Sequence, residues 1–201
     1  MAHQRDRVAR AIDAKIDSEP SVGDVRLPPE PRLDLSTLAG RLGSLRVAEN
    51  DLPGGLDTRY LTLRAGPGAR DPLHGDTCAA RLNRSYRRLG LLGGSAQVIS
   101  VAQIHGNYAA YAWAFPSGAA ARAALRVAET RQGVRVTRAA SVVRGAVRVV
   151  RPGRSLLDDL FWVRGSVLLQ VGGYGPPDIP LLRSRQTLIA RALDAKASAL
   201  R

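Results

Sequence analysis

The side chains with the widest chemical repertoire gather in one octapeptide, Asp71-Pro-Leu-His-Gly-Asp-Thr-Cys78. Asp71, His74, Asp76 and Cys78 offer oxygen, nitrogen and sulfur donors that would suit a borderline metal, and a thiol beside an imidazole is the least a cysteine nucleophile needs. Turn chemistry explains the same residues at lower demand. Asp-Pro and Gly-Asp are turn dipeptides, Asp76 or Thr77 can cap a following helix, and a lone cysteine usually packs as a small hydrophobe. His3 and His105 are the only other histidines, and Cys78 is the only cysteine, which rules out an intrachain disulfide and a four-cysteine zinc site. The octapeptide is therefore read as a loop entering a helix, with a metal or thiol centre as a minor alternative. No catalytic residue, metal ligand or cofactor is assigned.

Glycine strings at Gly66-Pro-Gly-Ala-Arg-Asp71, Gly90-Leu-Leu-Gly-Gly-Ser95 and Gly172-Gly-Tyr-Gly-Pro-Pro-Asp178 would let backbone N–H groups approach an anion, but none fits a Walker or dinucleotide fingerprint. They read as turns. Aromatic residues make up 4% of the chain. Tyr108, Tyr111, Trp113, Phe115, Phe161 and Trp162 are thus expected in the core rather than on a base-stacking surface.

Arginine is the residue type whose placement stands out. The net charge is +13, and Lys15 and Lys196 are the only lysines among 30 basic residues. Codon bias toward Ala, Gly and Arg would spread arginines evenly, yet thirteen of them fall between Thr77 and Leu157 against a single acid, Glu129. Charge asymmetry of this kind points to contact with a polyanion. Arg81, Arg84 and Arg88 recur at helical spacing, and Arg144 and Arg148 at strand spacing, so these five are the candidate anion-binding residues.

The elements that would carry them follow from periodicity. Residues 58–65 alternate as a strand. Residues 78–90 form a helix that stops at Gly90. Residues 95–104 and 107–115 are strands turned by His105-Gly106. Pro116-Ser117 opens a helix with alanines 120, 121, 124 and 128 on one side, ending near Gly133. Strands are expected at 134–138 and 141–150, the latter with valines on a buried face and Arg144 and Arg148 on a basic one. A strand at 163–171, VRGSVLLQV, echoes VRGAVRVVR at 143–151 and should neighbour it. Leu181, Leu182, Leu188, Ile189, Ala192, Leu193 and Leu200 mark a closing helix. This order predicts an α+β fold, a mostly antiparallel sheet with helices packed on one side.

Upstream, residues 1–17 read as an amphipathic helix, residues 18–50 as a proline-rich linker with a weak helix, and residues 51–201 as the α+β domain. VARAIDAKI at 8–16 matches IARALDAKA at 189–197 at six of nine positions, which suggests the end of a preceding repeat and leaves open whether Met1 is the true start. No run of apolar residues reaches transmembrane length, and the first residues do not form a secretory signal.

The succession GLLGGSAQVISVAQI, FPSGAAARAALRVAE, FWVRGSVLLQVGG and LIARALDAKASAL resembles an uncharacterised family of bacterial extracytoplasmic and lipoprotein-anchored α+β domains, across about residues 51–201. The resemblance implies a surface or secreted location and no assigned chemistry. The resulting expectation is a non-enzymatic binding domain whose basic face meets an anionic partner: a wall polymer, lipid headgroups or an acidic protein. The alternative is an intracellular nucleic-acid-binding module that uses the same arginines on phosphates.

Overall fold

The computed structural model describes residues 36–48, 51–52, 57–65, 77–101, 106–131, 133–151, 156–175 and 179–200. All belong to one unit, Leu33–Arg201. The N-terminal amphipathic helix and most of the proline-rich segment lie outside the described residues, as do Asp71, His74 and Asp76.

Among the described residues, four helices and seven strands follow one another: α1 (Leu38–Ser44), β1 (Asp57–Ala65), α2 (Thr77–Arg88), β2 (Gly93–Val101), β3 (Gly106–Ala114), α3 (Gly118–Glu129), β4 (Arg135–Arg138), β5 (Val147–Arg151), β6 (Leu156–Arg164), β7 (Val167–Gly175) and α4 (Ile179–Ala199). The strands form one sheet in the order β1-β2-β3-β7-β6-β5-β4. Every neighbouring pair is antiparallel. The α+β class and the antiparallel sheet are as the sequence predicts.

The helices, however, divide between the two faces. Side chains alternate across β6, so Leu160 and Trp162 look one way and Phe161 the other. Leu160 and Trp162 join Tyr108, Leu169 and Val171 under α1 and α4, where Leu42, Ile189 and Leu193 close the core. Phe161 joins Phe115, Val149 and Leu168 under α2 and α3, where Tyr86 and the alanines 121, 124 and 128 close it. Those three alanines lie on one stripe of α3, and their small size brings the helix close to the sheet. A sheet whose central strands are apolar on both sides has to be covered twice, which is why helices on one side alone do not suffice. Each fully buried leucine, isoleucine or phenylalanine contributes roughly 1.5–3 kcal/mol of burial, and the expected burial of the aromatics holds for Tyr108, Tyr111, Phe115, Phe161 and Trp162.

Three boundaries differ from expectation. Residues 139–146 are a turn instead of the first half of a strand. Ala139 N donates to Ala146 O at 2.8 Å, and Ala146 N to Val143 O at 3.0 Å. Residues 163–171 do not form one strand. Gly165 and Ser166 make a two-residue hairpin turn between paired Arg164 and Val167, so β6 separates β7 from β5 and the two echoed segments do not pair as neighbouring strands. Finally, Leu42, Leu45, Val47 and Leu52 are buried in the core, so the folded unit takes in α1 and begins before residue 51. Gln97 fixes that segment: its Nε2 donates to Val47 O at 2.7 Å and its Oε1 accepts from Val47 N at 2.9 Å, standing in for a strand partner.

Candidate functional site

The echo between VRGAV and VRGSV is a likeness of turns. In each, an arginine precedes a glycine of positive φ, +77° at Gly145 and +55° at Gly165, a region that side chains with a Cβ avoid. Both turns come to the same end of the sheet. There Arg144, Gly145, Arg164 and Gly165 line a cleft of about 770 Å3, with Arg122 and Leu125 of α3 on one side and Ser198 of α4 on the other. The start of α3 is pressed against the β6–β7 turn: a Cβ on Gly118 would stand 2.9 Å from Gly165 O. Ser117 caps this helix, its hydroxyl accepting from Ala120 N at 3.2 Å.

The three arginines of the cleft differ in how they are held. Arg164 is anchored: its Nε lies 2.6 Å from Asp194 Oδ1, its Nη2 donates to Asp194 Oδ2 at 3.0 Å, and its Nη1 donates to the carbonyls of Arg144 and Val163. Asp194 also accepts from the buried Trp162 Nε1 at 2.9 Å, which ties the pair to the core. Arg122 and Arg144 are exposed, and neither forms a salt bridge among the described residues. The cleft therefore keeps two uncompensated guanidinium groups beside one neutralised pair, each a fork of donors matched to carboxylate or phosphate.

The five arginines singled out in the sequence do not come together. Arg144 lines the cleft. Arg84 and Arg88 are exposed on α2, and the side chain of Arg81 is outside the described residues. Arg148 serves the fold: it pairs with Asp158, a fully buried carboxylate that also meets Arg183 Nε at 2.9 Å. Gln186 completes this network, its Oε1 accepting from Arg148 Nη1 at 2.8 Å and its Nε2 donating to the carbonyls of Asp158 and Val171. Val147 and Val149 of β5 face the α2–α3 side as expected, but Arg144 lies on the preceding turn and Arg148 faces α4 and a buried carboxylate, so the expected basic strand face does not form. Sequence reasoning missed Arg122 and Arg164 as cleft residues. The signal that finds them is the shared Arg-Gly turn and the close approach at Gly118.

A second polar group lies under the α2–α3 face. Asp159 is buried, accepts from Gln170 Nε2 at 2.9 Å, and has its carboxyl pushed up to about 6 by burial, while the Gln170 bond and the Arg131 and Arg151 charges pull it down and Asp158 pushes it up. Tyr86 Oη, on the same face, is buried without a hydrogen-bond partner among the described residues, and burial raises its phenol well above the ordinary range. Among the described residues, no three His, Cys, Asp or Glu side chains gather as a metal site. Cys78 lies in the first turn of α2.

A seven-stranded antiparallel sheet with helices on both faces and a cleft at one end defines the class. No family model matches the chain, and no curated protein does. Among solved structures, the extracellular domain of PknH from Mycobacterium tuberculosis has a similar fold, with a TM-score of 0.52 and 12% identity over 79% of this chain and 97% of that one. The likeness is one of fold, to an extracytoplasmic bacterial domain. No described helix is long and apolar enough to cross a membrane.

Proposed function

We propose that this domain is a non-enzymatic extracytoplasmic binding module that receives an anionic ligand in the cleft between Arg122 and Arg144. The observation that carries the reading is that these two exposed arginines flank a cavity with no described carboxylate to neutralise them, while the neighbouring Arg164 is held by Asp194. The location is supported by the likeness to an extracellular domain and by the resemblance of residues 51–201 to extracytoplasmic domains.

Calorimetric titration of the full chain with inorganic phosphate and short polyphosphate at low and moderate salt tests this. Each lost charge-assisted hydrogen bond is worth about 1.5–3 kcal/mol, so Arg122→Gln with Arg144→Gln should weaken binding about tenfold or more and flatten its salt dependence. Unchanged affinity in the double variant overturns the reading. Arg84 and Arg88 of α2 form no salt bridge among the described residues either, and they favour nucleic acid as a second reading. Duplex binding lost on Arg84→Gln and Arg88→Gln, yet kept without the cleft arginines, would carry that alternative instead.

A further inference from the structure

A second, largely aliphatic cavity adjoins the charged cleft. On the other side of the β6–β7 turn, this cavity of about 170 Å3 shares Arg164 and Gly165 with the cleft wall and is otherwise lined by Leu45, Val167, Ala197, Leu200 and Ser166. Resting on the reading of the cleft as an anion site, we propose that its ligand is a free single-chain amphiphile: an acyl or alkyl chain of medium length whose anionic head meets Arg122 and Arg144 and whose tail end enters the apolar cavity.

The chemistry of the lining separates this ligand from others. At one end the side chains are arginines, which donate hydrogen bonds and accept none. At the other they are aliphatic apart from Ser166 and Arg164, whose guanidinium is already held by Asp194. A ligand with acceptors at one end and an aliphatic chain at the other matches both linings. A peptide lying in the same place would bring a run of backbone N–H groups, for which the lining side chains offer only the hydroxyls of Ser198 and Ser166 as acceptors. A nucleotide would bring a base, and no described aromatic side chain lines either cavity to stack on it. Size agrees: an apolar cavity of about 150 Å3 stays dry and takes a benzene-sized group, so the tail pocket holds the end of a chain and not a second ring system. Arg164 gives the turn a fixed position, since Asp194 and two backbone carbonyls hold its guanidinium between the two compartments.

The test is calorimetry of the full chain with inorganic phosphate and with butyl, hexyl and octyl phosphate as monomers. The dissociation constant should fall about fourfold for each added methylene that is buried, then level off once the cavity is filled. Ala197→Phe, which fills the cavity, and Leu200→Gln, just beyond α4, should abolish that gain while leaving inorganic phosphate as in the wild type. Arg122→Gln with Arg144→Gln should weaken all four compounds by the same factor. If all four bind alike, or the gain survives Ala197→Phe and Leu200→Gln, the amphiphile is overturned and the anion cleft stands. If none of the four binds, the reading of the cleft itself falls.

Discussion

Asp159 should make the stability of this domain fall as pH rises toward neutrality. Its carboxyl is buried on the α2–α3 face with one side-chain hydrogen bond, from Gln170, and its pKa stands at about 6 against an ordinary 3.8. The native state therefore binds more protons than the unfolded chain between those values. The folded form is relatively favoured below about pH 4, and that advantage is lost as pH rises through 6. The full displacement corresponds to about 3 kcal/mol at 1.36 kcal/mol per pH unit. Asp159→Asn removes the titration and keeps an oxygen for Gln170. At pH 7.5 the variant should be stabilised relative to wild type by about 3 kcal/mol, and at pH 4 the difference should shrink to below about 1 kcal/mol. Urea unfolding, followed by fluorescence of the two tryptophans, Trp113 and Trp162, reads both. The change in that difference between the two pH values carries the test, because it cancels any pH-independent cost of the amide. A stability difference that is the same at both pH values would refute the argument.

Two further perturbations probe the packing. Tyr86→Phe deletes a buried hydroxyl that has no partner among the described residues. An unsatisfied buried group costs about 1–3 kcal/mol, so thermal unfolding should show the variant to be as stable as wild type or more so, and a clear loss would reveal a partner for the hydroxyl. Gly118→Ala places a methyl 2.9 Å from Gly165 O. The backbone must yield, at a cost of about 1–3 kcal/mol for an overpacked site, and the melting temperature should drop; a melting temperature equal to that of the wild type would show that α3 is free to move away from the turn.

Local signals carried most of the fold. Ser117 before an alanine stripe located α3, and Gly90 stopped the preceding helix, because caps and terminators act within a few residues. The β2–β3 hairpin was legible for the same reason. The split of helices between two faces was not, since Leu160, Phe161 and Trp162 read as one apolar run that does not say what covers each side. The site was legible only in part. Charge density directed attention to residues 81–154, but whether an arginine is available depends on what lies across from it. Arg148 finds Asp158 ten residues away on the adjacent strand and Gln186 on a distant helix. Arg144 meets no such partner among the described residues, and Arg122 joins it only because α3 starts against the turn at Gly165.

The strand order has a kinetic consequence. Strands β4 to β7 pair successively along the chain across short connections, and β2 pairs β3 across another, while β1 pairs β2 across the longer connection that carries α2. The β3–β7 pairing alone joins the β1–β3 and β4–β7 blocks in the sheet and must wait for segments far apart in sequence to meet. Its eight registered pairs place Ala109, Ala110 and Ala112 opposite Gly172, Val171 and Leu169, and the bulkier Tyr108, Tyr111 and Trp113 opposite Gly173, Gln170 and Leu168. Until it closes, each block presents an unpaired edge whose natural complement is the other. Two chains that met before it closed would be able to satisfy the same edges by exchanging blocks, through hydrogen bonds like those within one chain.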